Sequence, residues 1–236
     1  MGAENTATDG NEIMKSFNVV WQGGLLPQTV LVTLVIMSMV TWFITFTKLW
    51  EQRSLNKQYG DIQKEAQKGT FWSGSLRDSL DKLKGKQHTY KAIGEEGLRA
   101  AEHHEGALSD QVALHEWITI TLQRAVDAVS NRLTSGLWFL ATTGSTAPFI
   151  GLFGTVVGIY KALGAIAASG QASIEKTAGP IGEALVMTAF GLFVAVPAVF
   201  FYNVLIRRNK DIMEKTRFYA SGVHSYLVST NRPARK

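Results

Sequence analysis

Three long apolar runs alternate with ordinary charged sequence along this chain. Gln22 to Thr47 carries no charge, and its core from Val30 to Phe46 is strongly apolar. Leu133 to Tyr160 is charge-free between Arg132 and Lys161, and a third run extends from about Thr177 to Ile206. Each is long enough to cross a hydrocarbon core, which takes about 20 helical residues at ~1.5 Å per residue. The pattern predicts an all-α integral membrane protein with three transmembrane helices, over 25–50, 133–160 and 177–206. Ahead of them lies an arm, residues 1–24, in which Ile13, Met14, Phe17, Val20 and Trp21 recur at helical spacing. That spacing predicts a short amphipathic helix at the membrane surface. Glu4, Asp9 and Glu12 outnumber Lys15 there, so no basic region announces a cleavable signal peptide.

The polar stretches complete the plan. Residues 51–132 form a polar insertion whose first part stays helix-compatible to about Gly69, with Gly69, Gly74 and Gly85 marking turns. From about Ser109 a stripe of Val112, Ile118, Leu122, Val126, Val129 and Leu133 predicts an amphipathic helix. Because the stripe runs directly into the second apolar run, one long continuous helix is expected. Residues 161–176, rich in Ala, Gly and Ser, are expected as a short connection, and 207–236 as a basic tail. Pro27 suits the first turn of the first span. Pro148 is expected to interrupt the second span and Pro197 to bend the third. Thr29, Thr33, Ser38, Thr41 and Thr45 in the first span are expected to bond back to their own helix.

Charge sets the orientation. Five basic residues lie between Lys48 and Lys68 and five between Arg207 and Arg217, whereas the arm offers Lys15 and the connection only Lys161 and Lys176. The positive-inside bias therefore places the N-terminus and the connection outside, and the insertion and tail in the cytoplasm. This topology also accounts for the net charge of +5 without nucleic acid. Cysteine is absent, which excludes disulfides, thiolate metal sites and a cysteine nucleophile. His103 and His104 point about 100° apart on a helix and lack a third ligand at suitable spacing, so no metal site is expected. No hydrolase elbow or phosphate loop occurs, and neither an enzymatic activity nor a cofactor is expected.

The second run differs from the first. Gly144, Ala147, Gly151, Gly154 and Gly158 form small-residue ridges, the pattern that lets helices approach closely in lipid. The third run carries one ionisable group, Glu183, followed by more than twenty residues without a charge. A central acid costs about 2.5 kcal/mol or more on insertion, so it faces protein or water and has a task. Pairing the last two spans about an apex near Ser169 puts Thr155 level with Glu183. Thr188 lies about 7.5 Å further along the axis and about 140° round the helix, so one straight helix cannot aim both groups at one narrow target. A helix-end acid tolerated by the macrodipole is the alternative.

The blocks APFIGLFGTVVGIYKAL (147–163) and GPIGEALVMTAFGLFVAVPAVFFYNV (179–204) closely resemble the two signature helices of the ExbB/TolQ/MotA proton-channel family. Three spans disfavour a MotA-like member, which would have four. The ending AVPAVFFYNVLIRR looks more like the ExbB branch than the TolQ branch. The resemblance implies an inner-membrane homopentamer around the single transmembrane helices of two ExbD-like subunits. It implies that the proton motive force, through a TonB-like protein, energises transport across the outer membrane. By motif, Glu183, Thr155 and Thr188 correspond to the family's pore-lining acid and two threonines, while the partner supplies an essential Asp. A TolQ-like role in the Tol-Pal envelope system, or a purely structural scaffold of small-residue helices, are the alternatives.

Overall fold

A computed structural model describes residues 24–67, 69, 71, 74–83, 88–103, 113–169 and 174–230. Among them every regular element is an α-helix: α1 (Leu25–Gln67), α2 (Leu76–Asp81), α3 (Thr89–Glu102), α4 (Leu114–Thr134), α5 (Leu137–Ser169) and α6 (Ile174–Thr230). Three stretches are long and apolar enough to cross a membrane, lying in α1, in the α4–α5 stretch and in α6. The arm expected to carry an amphipathic helix lies outside the described residues, as do Gly85 and His104.

Two compact units divide the chain. The apolar unit comprises the described residues up to Thr45 together with Gly136–Asn203; the polar unit comprises Phe46–Ser135 and the described residues from Val204 onward. In the apolar unit the inner contacts of α1, α5 and α6 join Val30, Leu31, Leu34, Ala147, Met187, Val194 and Ala195. Its outward faces are also apolar: Phe43, Phe149, Phe153, Leu185, Phe193 and Val196 are all exposed. A water-soluble monomer rarely presents so much contiguous apolar surface, and a bilayer or neighbouring chains cover it without penalty.

The polar unit has a conventional core. Leu55 and Ile62 of α1 pack with Leu80, Tyr90, Ile93, Ile118, Leu122, Ile212, Tyr219 and Val223. The expected stripe on α4 is buried at Ile118, Leu122, Val126, Val129 and Leu133, while Val112 lies outside the described residues. Tyr90 sits at the centre, stacked edge-on against Tyr219 at 5.4 Å and tilted against Tyr59 at 5.7 Å. Burial pushes both the Tyr90 and the Tyr219 phenols up from their ordinary range. His88 caps α3, accepting from the Lys91 amide at Nδ1 over 3.2 Å.

Four local expectations change. The single long helix from about Ser109 through the second span is instead α4 and α5, separated at Ser135 and Gly136. Gly136 has φ of +81°, a left-handed conformation that ends a helix and favours glycine. The last carbonyls of α4 find outside donors: Lys48 Nζ donates to Arg132 O at 2.6 Å, and Asn209 Nδ2 to Leu133 O at 3.0 Å. Second, residues 161–169 and 174–176 of the expected connection are helical, with 170–173 outside the described residues. Third, α5 runs unbroken through Pro148, the residue expected to interrupt it, and Pro180 and Pro197 lie inside α6. Each proline removes one amide donor, yet neighbouring helices sustain the fold in an apolar medium. Fourth, Thr29 and Thr33 do bond to their own helix, at 2.8 Å each, but Thr41 and Thr45 do not.

Candidate functional site

The helix pair α5–α6 owes its closeness to residues with little or no side chain. A methyl group built on Gly151 would stand 2.7 Å from Met187 O and 3.1 Å from the Gly191 Cα. One built on Gly191 would stand 2.7 Å from Ala147 O and 3.0 Å from the Gly151 Cα. The two glycines thus lie reciprocally beneath carbonyls of the opposing helix, backbone against backbone. Gly158 faces Ala184 and Pro180 O, Gly154 faces Met187 and Val30, and Gly144 faces Val199. Ala147, wholly buried, completes this face of α5. Pro148 and Pro197 are half-buried beside it.

This contact positions the polar groups. Thr188 donates to Thr155 Oγ1 at 3.4 Å, and Thr155 donates to Leu152 O at 2.6 Å. The two hydroxyls therefore form a short chain across the helix pair, buried on the α5 side. Glu183 is half-buried, and its Oε1 is shielded from solvent with no hydrogen-bond partner. Lys161 on α5 is the charged side chain whose field reaches it.

The structure brings Thr155 together with Thr188, and this corrects the expected pairing with Glu183. The facing pairs Gly158–Ala184 and Gly151–Gly191 set a register shifted from the expected one toward the apex. Gly158, not Thr155, lies opposite Ala184 and so near the level of Glu183. Ala184, Met187, Thr188 and Gly191 face α5, while Glu183 is turned by about 100° from its neighbour Ala184, as helix geometry requires. The acid sits on one flank of the helix contact and the hydroxyl pair within it. An acid with a buried, unpaired oxygen on that flank can exchange a proton with a group or water brought to it.

A second polar group lies in the polar unit. Gln52 Nε2 donates to Asn209 Oδ1 at 2.7 Å and to Leu205 O at 3.0 Å, with the Gln52 and Asn209 side chains nearly inaccessible. Nearby, Glu51 accepts from Arg132 and, at 3.0 Å, from Lys48. Neutral amides among charged neighbours carry no pattern that singles them out in a sequence. Among the described residues no group of three or more His, Asp or Glu could hold a metal ion.

Comparison with known proteins agrees with this architecture. Residues 85–217 match the model of the MotA/TolQ/ExbB proton channel family. The chain is 35% identical over 241 aligned residues to the biopolymer transport protein ExbB of Xanthomonas campestris pv. campestris, covering 98% of this chain and 90% of that protein. It is 37% identical to the biopolymer transport protein ExbB of Neisseria meningitidis, over 85% of this chain and 91% of that one. It is also 30% identical to the Tol-Pal system protein TolQ of Pseudomonas aeruginosa, over 89% of this chain and 91% of the relative.

Proposed function

The chain belongs to the MotA/TolQ/ExbB proton channel family, and we propose that it is an ExbB-type subunit that energises TonB-dependent transport across the outer membrane. It does so in the inner membrane, with its N-terminus periplasmic and the 51–132 insertion and 207–236 tail cytoplasmic. Five copies surround the transmembrane helices of two ExbD-like partners, and a TonB-like protein carries the work outward. The observation that carries this reading is Glu183: an acid in an apolar helix, with one oxygen buried and unpartnered, on the helix pair that also holds the Thr155–Thr188 hydroxyl contact.

In the mechanism, a ring of Glu183 side chains faces a partner carboxylate. A proton arriving from the periplasmic side neutralises that carboxylate and lets it cross an apolar sector. Release toward the cytoplasm restores its charge and draws it to the next polar position. Thr155 and Thr188 extend polar access, passing hydrogen bonds along a pore that is otherwise dry. Moving one charge through 100 mV yields about 2.3 kcal/mol, so each step is driven modestly above thermal energy. The polar-unit helices brace the ring while the partner turns.

Glu183→Gln keeps the shape and removes the titration. The expected result is normal assembly with loss of energised uptake; wild-type uptake in an assembled Glu183→Gln complex would overturn the mechanism. Thr155→Ala and Thr188→Ala are expected to lower proton flux in liposomes while sparing assembly. A TolQ-type role is the second reading, favoured by the similarity to the Pseudomonas protein. Co-purification of an ExbD-like or a TolR-like partner distinguishes the two.

A further inference from the structure

We infer that Thr41, Thr45 and Thr143 form an internal hydration site inside the apolar unit, taking water between α1 and α5 and separate from the Glu183 group. All three side chains lie on inward faces, at 2%, 0% and 0% exposure, and all three hydroxyls lack a hydrogen-bond partner. Their neighbours show that this is not a general property of threonines here. Thr29, Thr33, Ser145 and Thr146 each donate to a carbonyl of their own helix at 2.8–3.0 Å. Back-bonding is thus the local default, and the three buried hydroxyls depart from it.

Their placement brings them to one region. Val30 reaches 3.4 Å from where a Gly154 methyl would stand, and Ile44 reaches 3.7 Å from where a Gly136 methyl would stand. The two contacts run α1 and α5 antiparallel and put Thr143 within about one helical turn of the Thr41 level. Thr45 follows one turn further along the same face of α1. That face begins as Val30, Leu31 and Leu34 and changes to Thr41 and Thr45. On α5 the adjoining inward residues are Leu140 and Ala147, both wholly buried. Pro148 lacks the amide that would close the helix bond to Gly144 O, leaving an acceptor one residue from Thr143. An enclosed water needs two to four polar partners, and a buried hydroxyl without one is costly. Two helices supplying hydroxyls and a released carbonyl satisfy that need.

Valine is isosteric with threonine, so the sign of its effect reads the site directly. The test compares Thr41→Val, Thr143→Val and the double variant, in the assembled complex in lipid nanodiscs, by thermal unfolding. If the hydroxyls share water, each single change lowers Tm, and the double variant falls by less than the sum of the singles. A map of the parent complex then shows water within hydrogen-bond distance of at least two of the three hydroxyls, and a Thr143→Val map loses it. A rise in Tm, no change, or strictly additive falls would each overturn the inference, because a dry hydroxyl gains by removal. If Thr143→Val fails to assemble, Thr143→Ser, which keeps the hydroxyl, is expected to restore assembly; failure of both also overturns it. Proton flux through Glu183 is not the readout, so the result stands apart from the proposed channel function.

Discussion

The two units of this molecule achieve close packing by opposite means. In the apolar unit, Gly151 and Gly191 meet backbone to backbone, and the aromatic side chains Phe43, Phe149, Phe153 and Phe193 point outward around a small core of Leu31, Leu34 and Met187. In the polar unit, Tyr90, Phe71, Leu80 and Ile118 turn inward and fill a core. Glycines occur there too, but Gly94 meets the end of the Leu80 side chain and the Tyr219 hydroxyl, not a backbone. The difference follows from the medium. Water drives large apolar groups into a core, whereas lipid gives no such drive, leaving close van der Waals contact between helices as the cohesive term.

The close contact in the apolar unit is most vulnerable at Gly191. Gly191→Val places a branched side chain against Ala147 O, and neither backbone can yield without separating the helices. The expected penalty is about 3 kcal/mol or more, seen in size-exclusion chromatography as dissociation of the assembled complex once α5 and α6 are forced apart. A complex of parental stability would show that the glycine contact is dispensable. Next comes the amide network: Asn209→Leu removes the donor to Leu133 O and one acceptor of Gln52. An expected loss of about 1–3 kcal/mol follows from leaving buried polar groups unmatched, measured by denaturation.

Gly94→Ala sharpens the contrast with Gly191. Its new methyl presses on the ends of the Leu80 and Tyr219 side chains, not on backbone, and the gain in helix propensity, about 1 kcal/mol, offsets much of the crowding. Stability within about 1 kcal/mol of the parent is expected; a loss comparable to Gly191→Val would erase the distinction between the units.

The smallest effect concerns acid. Burial holds His88 below its ordinary 6.5, opposed in part by Asp61 and reinforced by Lys91. Above about pH 6.5 both folded and unfolded forms are neutral and the cap is intact. As pH falls below that value the unfolded chain takes the proton first, so folding stability declines until the folded-state pKa is passed. His88→Asn keeps an acceptor for the Lys91 amide and is expected to flatten this part of the stability–pH curve; an unchanged slope would remove His88 as its source.

Much of this was legible in the chain because periodicity and charge act locally. The α4 stripe and the three spans depend on which residues share a helix face and on the cost of charge in lipid. The small residues of α5 marked a close contact, and the directions of Glu183 and Thr188 diverge as helix geometry requires. Other features depend on long-range placement. The register of α5 against α6 decides whether Thr155 meets Glu183 or Thr188, and a shift of a few residues in register is invisible to periodicity. The Ser135–Gly136 break hides inside an uninterrupted apolar stripe, because one left-handed glycine leaves the pattern intact. Thr41 and Thr45 read as ordinary membrane threonines, and only their burial sets them apart from Thr29 and Thr33. Gln52 and Asn209 lie 157 positions apart and offer no local sign of pairing.

The polar core is also discontinuous in the chain, since its residues up to Leu133 wait for Ile212, Tyr219, Val223 and Leu227. During synthesis at about 5–20 residues per second, the half-built core stays open for about 5–20 s while the last two spans are made. Tyr90, Ile118 and Leu122 are then accessible to chaperones and proteases, and the polar core closes only after the final span has passed the ribosome. Closure of this core therefore depends on synthesis having proceeded through α6.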